Sequence, residues 1–468
     1  AVYPGDKNNL PYDVVVERLH IEEPEPPVPV TEPEKTFEEV LDEHPVSIQV
    51  NGQWETFPNA KAAEEASYEE YKANLRRNAK NFRITDEHLG EGGPKAKFQA
   101  NVNAIRLLKE LEAAGQQASP EQQEVLSRYV GWGGLSDAFD PEKPAWALEY
   151  AQLKELLTPE EYAAARSSTL NAHYTSPTVI QAIYEAVDRM GFETGNILEP
   201  SMGVGNFFGM LPEKMRNSRL YGVELDPVSG RIAKQLYPKA DITVGGFETT
   251  DRRDFFDLAI GNVPFGQYQV RDKAYDKLNF SIHNYFFAKA LDQVRPGGVV
   301  AFVTSRYTMD AKDSTVRRYL AQRAELLGAI RLPNDAFKKN AGAEVVSDII
   351  FLQKRDRPLD IVPEWTQTGQ TEDGFAINRY FIDHPEMVLG RQEPVSTAHG
   401  MDYTVNPIEG LELSDQLHDA VKYIHGTYQE AELPELGEGE AIDTSIPADP
   451  NVKNYSYAIV DGQVYYRE

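Results

Sequence analysis

Cysteine is absent from all 468 residues. Its absence excludes a disulfide framework, a thiolate zinc site and a cysteine nucleophile, and it fits a cytoplasmic, bacterial setting. No run of eighteen apolar residues occurs, which argues against a membrane span or a membrane partner. No basic, apolar signal peptide opens the chain, and its first residue is Ala1 rather than Met. The expectation is therefore a processed or excised piece of a longer polypeptide. Internal repeats are lacking. Basic charge is scarce as well: 47 Lys and Arg face 74 Asp and Glu, a net charge of −27. A phosphate-binding surface needs cations, so this balance weighs against nucleic acid at first sight. The deficit is uneven, however. Residues 1–70 hold 17 acids and 4 bases and residues 401–468 hold 14 acids and 3 bases, whereas 201–355 hold 17 acids and 23 bases. The acid lies at the ends, and the field at a site depends on the charges near it.

What is present suffices for two or three domains, at an apolar content of 41% that is ordinary for globular protein. Residues 1–35 include Glu22-Glu23-Pro24-Glu25-Pro26-Pro27, an acidic, Pro-rich tether with little to bury. Residues 36–165 read as a mostly helical N-terminal domain with a small hairpin, Val46–Val50 and Gln53–Phe57 around Asn51-Gly52. Val102, Ile105, Leu108 and Leu111 mark one helix, and Ser119-Pro120-Glu121 starts another. From 166 to 356 strands and helices alternate. The strands expected are Asn196–Glu199, Arg219–Glu224, Ile242–Val244, Phe256–Asn262, Gly298–Ser305, Leu326–Leu332 and Val345–Leu352. The fold class is α/β: a seven-stranded, Rossmann-like and largely parallel sheet with helices on both faces, its last two strands antiparallel at one edge. Residues 357–468 form an acidic C-terminal extension ending in a second hairpin, Tyr455–Val460 and Gln463–Tyr466.

Two strand ends carry the chemistry. The first expected strand runs into Glu199-Pro200-Ser201-Met202-Gly203-Val204-Gly205-Asn206, where missing β-carbons allow a tight turn and close approach of a ligand. Taken alone, such a glycine pair is equally a structural turn. The second strand ends in Glu224-Leu225-Asp226, about 20 residues on, where a carboxylate can accept both ribose hydroxyl protons. A dinucleotide enzyme shares this logic, so these features leave NAD and S-adenosylmethionine unseparated. Asn262-Val263-Pro264-Phe265, after the fourth strand, separates them. An arylamine is a poor nucleophile because its lone pair is delocalised into the ring. The Asn262 side-chain oxygen and the Val263 carbonyl can accept the two amino protons, Pro264 stiffens the turn, and Phe265 can stack on a base. Positioning and dipoles do this work without a shifted acid or base. The bland alternative is a strand-ending turn with Phe265 in the core. Beyond it, Tyr268, Arg271, Lys273, Tyr275 and Lys277 interleave aromatics and cations as a DNA-binding loop would, and Arg306 extends the basic surface. The loop 266–280, polar and bordered by glycine, is expected to be mobile without DNA.

These residues resemble the amino-methylating DNA methyltransferases, whose hallmark at this strand is Asp/Asn/Ser-Pro-Pro-Tyr/Phe. Asn171-Ala172-His173-Tyr174-Thr175-Ser176-Pro177 is similar to the cofactor segment that precedes the glycine turn in the gamma class. Arg317-Arg318-Tyr319, Ala329 to Phe337 and Ser347 to Leu352 resemble modification subunits of type I restriction systems. Asn81 to Thr85, Gly90-Glu91-Gly92-Gly93 and Tyr129-Val130-Gly131-Trp132-Gly133-Gly134 are similar to the methyltransferase part of large methyltransferase–helicase proteins of conjugative elements and phages. The resemblance covers about residues 80–468. It implies an N6-adenine DNA methyltransferase using S-adenosylmethionine, with DNA and a helicase region of the same parent polypeptide as partners. Catalysis falls to Asn262, Val263, Pro264 and Phe265. Cofactor binding falls to Tyr174, Thr175, Glu199, Pro200, Gly203, Gly205, Asn206, Glu224, Leu225, Phe247 and Glu248. Two departures stand out. Val263 replaces the usual Pro, and Gly245-Gly246-Phe247-Glu248 lacks the usual Asp, leaving Phe247 to cover the cofactor adenine and Glu248 to reach its amino group. Thr175 is expected to cap the helix carrying Val179, Ile183, Val187 and Met190. Methylation of a protein glutamine or of cytosine N4, and a degenerate non-catalytic scaffold, are the competing readings. No separate basic target-recognition domain follows Leu352.

Overall fold

The computed structural model describes residues 45–50, 53–67, 80–86, 88–169, 175–337, 345–397 and 400–430, and the backbone of 456–460 and 463–467. The chain divides into two compact units, Ala1–Gln429 and Glu430–Glu468. The second carries the C-terminal hairpin, Ser456–Val460 paired antiparallel with Gln463–Arg467.

In the first unit, β1 (Val46–Val50) and β2 (Gln53–Phe57) pair antiparallel, the two turn residues lying outside the described residues. Among the described residues a helical segment at 60–67 follows, and then α1 (Pro94–Ala113), α2 (Pro120–Ser127), α3 (Ala147–Leu156) and α4 (Pro159–Ser168). The three-residue repeat of α1 buries Val102, Ile105, Leu108 and Leu111 on one face. Ser119 opens α2 and Thr158 opens α4, each with a full capping box, Gln122 and Glu161 reaching back to the N-cap amide. Trp132 is an interior plug, its ring set edge-on to Phe98, Tyr129 and Phe139.

The central sheet has seven strands: β3 (Asn196–Glu199), β4 (Arg219–Glu224), β5 (Asp241–Val244), β6 (Phe256–Asn262), β7 (Val294–Ser305), β8 (Ala324–Arg331) and β9 (Ser347–Lys354). Their spatial order is β5-β4-β3-β6-β7-β9-β8. All neighbours up to β7 are parallel, and β9 lies antiparallel to both β7 and β8. β6 and β7 are near-continuously buried because helices cover both faces. Helix α5 (Pro177–Arg189) buries Val179, Ile183 and Val187, with Met190 at its end. Its N-cap is Ser176, not the expected Thr175, and no side chain bonds the cap amides. A second helix, here α6 (Asn206–Gly209), follows the glycine turn, and α7 (Pro227–Leu236) follows β4. Glu161 of α4 joins the helical region to the sheet by bonding Lys109 of α1 at 2.9 Å and Arg231 of α7 at 2.6 Å.

Residues 357–429 pack onto the β8–β9 side of the sheet rather than trailing from it. The Leu389 amide donates to the Arg331 carbonyl at 2.9 Å, and the Asn334 amide donates to the Val405 carbonyl at 2.8 Å. No helix among the described residues is long and apolar enough to cross a membrane.

Candidate active site

The chain runs outward from β3 through β4 to β5, then returns to β6 on the other side of β3. This reversal makes the β3/β6 boundary a topological switch point, beyond whose carboxyl end ligands bind in open sheets. A cavity of about 630 Å³ lies there. Its wall includes Glu199, Pro200, Gly203 and Asn206 after β3, Glu224 and Leu225 after β4, Phe247 and Glu248 after β5, and Asn262, Val263 and Pro264 after β6.

Glu199 is almost fully buried and its Oε2 meets no hydrogen-bond partner. Burial first, and then the charge of Glu224, hold its carboxyl well above the usual carboxylate range. A lone acceptor enclosed at a cavity wall fits a ligand that brings a donor or a positive charge. Glu224 is fixed by the backbone around it. Its Oε2 accepts the Gly203 amide and its Oε1 accepts the Asp226 amide, both at 2.7 Å. Burial and the neighbouring Asp226 push its pKa up to about 7 against the opposite pull of those amides. Each oxygen keeps acceptor capacity for a hydroxyl.

The two turn glycines serve different ends. Gly203, at φ 56°, turns its amide onto Glu224. Gly205, at φ 86°, is not at the cavity wall, and a β-carbon there would fall 2.6 Å from the Tyr237 ring. Packing under the turn, rather than approach of a ligand, demands that glycine. After β5, the exposed Glu248 folds its carboxylate back over Gly246, so a β-carbon at Gly246 would overlap it. Phe247 is buried, packing against Phe286 while still touching the cavity. Thr175 is buried at the wall, and Tyr174 lies outside the described residues.

No family model matches the chain. Over 272 residues it is 28% identical to defence against restriction protein B of Escherichia phage P1, an overlap of 57% of this chain and 10% of that protein. A 74-residue stretch is 45% identical to the type II methyltransferase M.CvrRI of Paramecium bursaria Chlorella virus XZ-6E, 16% of this chain and 19% of that enzyme. The chain thus spans about a tenth and about a fifth of these relatives' lengths. Among solved structures, one described as a class I S-adenosylmethionine-dependent methyltransferase from Listeria monocytogenes aligns at a TM-score of 0.36 and 18% identity, over 58% of this chain and 90% of that one. A type I restriction modification subunit from Vibrio vulnificus YJ016 aligns at a TM-score of 0.35 and 13% identity, over 67% of this chain and 95% of that one.

The residues around this cavity fit S-adenosylmethionine: an enclosed acceptor at Glu199 for a positively charged amino acid end, and backbone-held acceptors at Glu224 for a ribose.

Around the cavity mouth, the structure departs from the sequence-based reading in several places. Phe265 is half-buried, packs against the core and is not among the lining residues. Tyr268 lines the cavity instead, with its ring about half exposed. Tyr275 was expected to meet DNA, but it is buried with its hydroxyl donating to Asp292 at 2.7 Å. Arg306, expected on the basic surface, is buried and bonded to Asp402, Asp310 and the Tyr307 hydroxyl. Its acids come from a neighbouring turn and from a strand 96 residues away, so sequence position conceals the pairing. The loop 266–280 is pinned rather than free: Asp272 accepts Lys289 and Tyr285, each at 2.8 Å. Arg271, Lys273 and Lys277 remain exposed, with no ion pair among the described residues. The sequence reading missed the contribution of the helical region to the cavity, where Tyr129, Gly131, Ala164, Ser167 and Ser168 all line the wall. Tyr129 and Gly131 stand within a motif that the resemblance had singled out without assigning it a role.

Proposed function

We propose that this chain is an S-adenosylmethionine-dependent methyltransferase that methylates the exocyclic N6 amine of adenine in DNA. The observation that carries the reading is the placement of Asn262, Val263 and Pro264 on the wall of the cavity that also holds Glu199 and Glu224. The names of the two relatives, one a defence against restriction and one a type II methyltransferase, support DNA as the substrate. When bound, S-adenosylmethionine supplies a methyl group made electrophilic by its sulfonium charge. The residues of the chain do the positioning. The Val263 amide is engaged by the Val303 carbonyl at 3.1 Å, which ties the turn to β7. The Asn262 side-chain oxygen and the Val263 carbonyl accept the two amino protons and turn the lone pair toward the methyl group. Pro264 has no N–H and a fixed φ, so it holds this acceptor pair in place. The base enters flipped from the duplex, and the exposed Tyr268 ring offers it an aromatic face. The small share of the phage relative's length that the chain spans fits a domain of a larger mobile-element protein, with a helicase region elsewhere in the parent polypeptide.

Asn262→Ala tests the reading. Asn262 is assigned to the target amine, so its loss acts on the transition state and leaves cofactor affinity nearly intact. Tritiated methyl transfer to unmethylated duplex DNA should fall on the order of 10²–10³-fold, by analogy with removal of one preorganised polar contact. Methylation at the parental rate overturns the assignment. A parent chain that methylates only protein transfers it to a glutamine side chain.

A further inference from the structure

Tyr129 is fully buried, yet its hydroxyl forms no well-aligned protein hydrogen bond, the Ser229 and Trp132 side chains being near enough for weak polar contact alone. Buried tyrosine hydroxyls normally find a partner. This one stands at the wall of the cavity, on the side built by the helical region. Asp226, which lines the same cavity, presents a second orphan atom. Its Oδ2 accepts the Ser229 amide at 2.7 Å and the Ser229 hydroxyl at 2.6 Å, whereas its Oδ1 is enclosed without a partner. Asp226 donates its own amide to Glu224, so the acceptors of both acids come from one short turn after β4.

The mount of Tyr129 is rigid. Asn101 of α1 is fully buried and clamps the next two residues: its Oδ1 accepts the Val130 amide at 2.8 Å, and its Nδ2 donates to the Gly131 carbonyl at 2.5 Å. Gln123 of α2 donates to the Gln235 carbonyl at 3.0 Å, near the end of α7, the helix that Asp226 caps. The helix that leads into Tyr129 is thus tied to the C-terminal end of α7, and Asp226 caps the N-terminal end of the same helix.

We infer that Tyr129 and Asp226 are contacts for the adenosine moiety of the cofactor, so that the helical region completes the cofactor site. The inference rests on the assignment of Glu224 to the ribose. Asp226, whose amide bonds Glu224, stands at the ribose end of the site, and adenosine offers hydroxyl and amino donors for Asp226 and ring or hydroxyl acceptors for a tyrosine O–H. Burial and the charge of Asp226 hold the Tyr129 hydroxyl protonated, which keeps it a donor.

Calorimetry on the full chain with S-adenosylhomocysteine and with 5′-methylthioadenosine is the test, because the second probe keeps the adenosine and lacks the amino acid. Tyr129→Phe should weaken both probes by roughly three- to tenfold, the size of one hydrogen bond. Its ligand-free melting temperature should stay level or rise, because no well-formed protein hydrogen bond is lost. A merely structural tyrosine gives the reverse pattern: lower melting with parental affinity. Parental affinity of Tyr129→Phe for S-adenosylhomocysteine overturns the inference, as does weakening of that probe alone. Glu224→Ala separates the two levels of the argument: if it too leaves affinity unchanged, the ribose assignment fails as well. A readout that needs no variant is hydrogen exchange of residues 128–131 in the parent chain. S-adenosylhomocysteine should slow it, and unchanged exchange counts against Tyr129.

Discussion

At the scale of the residue, Glu224 gives this protein a pH dependence of unusual sign. Most folded-state carboxylates titrate below their unfolded value, but Glu224 rises from 4.5 to about 7 through burial and its neighbour Asp226. Between those two values the folded chain holds more protons than the unfolded one. The stability contributed by this group is therefore fully present below the unfolded pKa and is lost as pH rises through about 7. Glu199 shifts in the same direction, so the comparison must isolate Glu224. The ligand-free parent should lose melting temperature relative to Glu224→Gln between about pH 5 and about pH 8. Cofactor affinity should run the opposite way. Ribose hydroxyls donate to the ionised carboxylate, so affinity for S-adenosylhomocysteine should climb with pH and level off above about pH 7. Calorimetry across that range checks it; a flat profile means that Glu224 does not titrate on binding.

At the scale of the element, the loop 266–280 separates what holds the loop from what it can offer DNA. Asp272 and Tyr275 are spent on Lys289, Tyr285 and Asp292, while Lys273 and Lys277 face solvent. If the two lysines meet phosphates, the double variant Lys273→Ala/Lys277→Ala should lower the salt dependence of DNA binding by about two counterions. Affinity should fall alike for all DNA sequences, and cofactor binding should not change. An unaltered slope in a fluorescence titration removes the loop from the DNA interface. The same loop shows how far the sequence was legible. Strand periods and turn chemistry are local, so β3, β4 and β6, the glycine turn, Glu224 and Asn262 could be read directly. Aromatic and basic residues carry no such local mark of burial. Tyr275 and Arg306 read as surface groups because the acids that neutralise them come from other elements. Gly205 looked like a ligand glycine because Tyr237, which needs the space, is 32 residues further along. Tyr129 was visible as part of a motif, but only the packing of the helical region on α7 brings it to the cavity.

At the scale of the whole molecule, a buried ion network joins the sheet to the residues that follow it. Arg331 on β8 is fully buried and grips Asp348 on β9 with two bonds of 2.8 Å, Asp310 at 2.8 Å, and the Tyr403 hydroxyl. Removing the cation would strand two enclosed carboxylates, so Arg331→Met should cost roughly 3–5 kcal/mol in denaturant unfolding. A loss below about 1 kcal/mol would mean that the network is dispensable to the fold. The order of the strands carries a further consequence, for synthesis. β9 is the last of the seven to be made, yet it sits between β7 and β8 and, among the described residues, is the one strand of the sheet paired with β8, which otherwise has a single bridge from Arg331 to Val388. A nascent chain that has not reached Ser347 therefore carries an unpaired apolar edge on β7 and a homeless strand, β8. Such edges template pairing with other chains. Truncations ending ahead of Ser347 should accordingly aggregate, and ribosomal pausing in that interval should lower the yield of folded chain. Release of residue 354 is the moment at which the sheet can close.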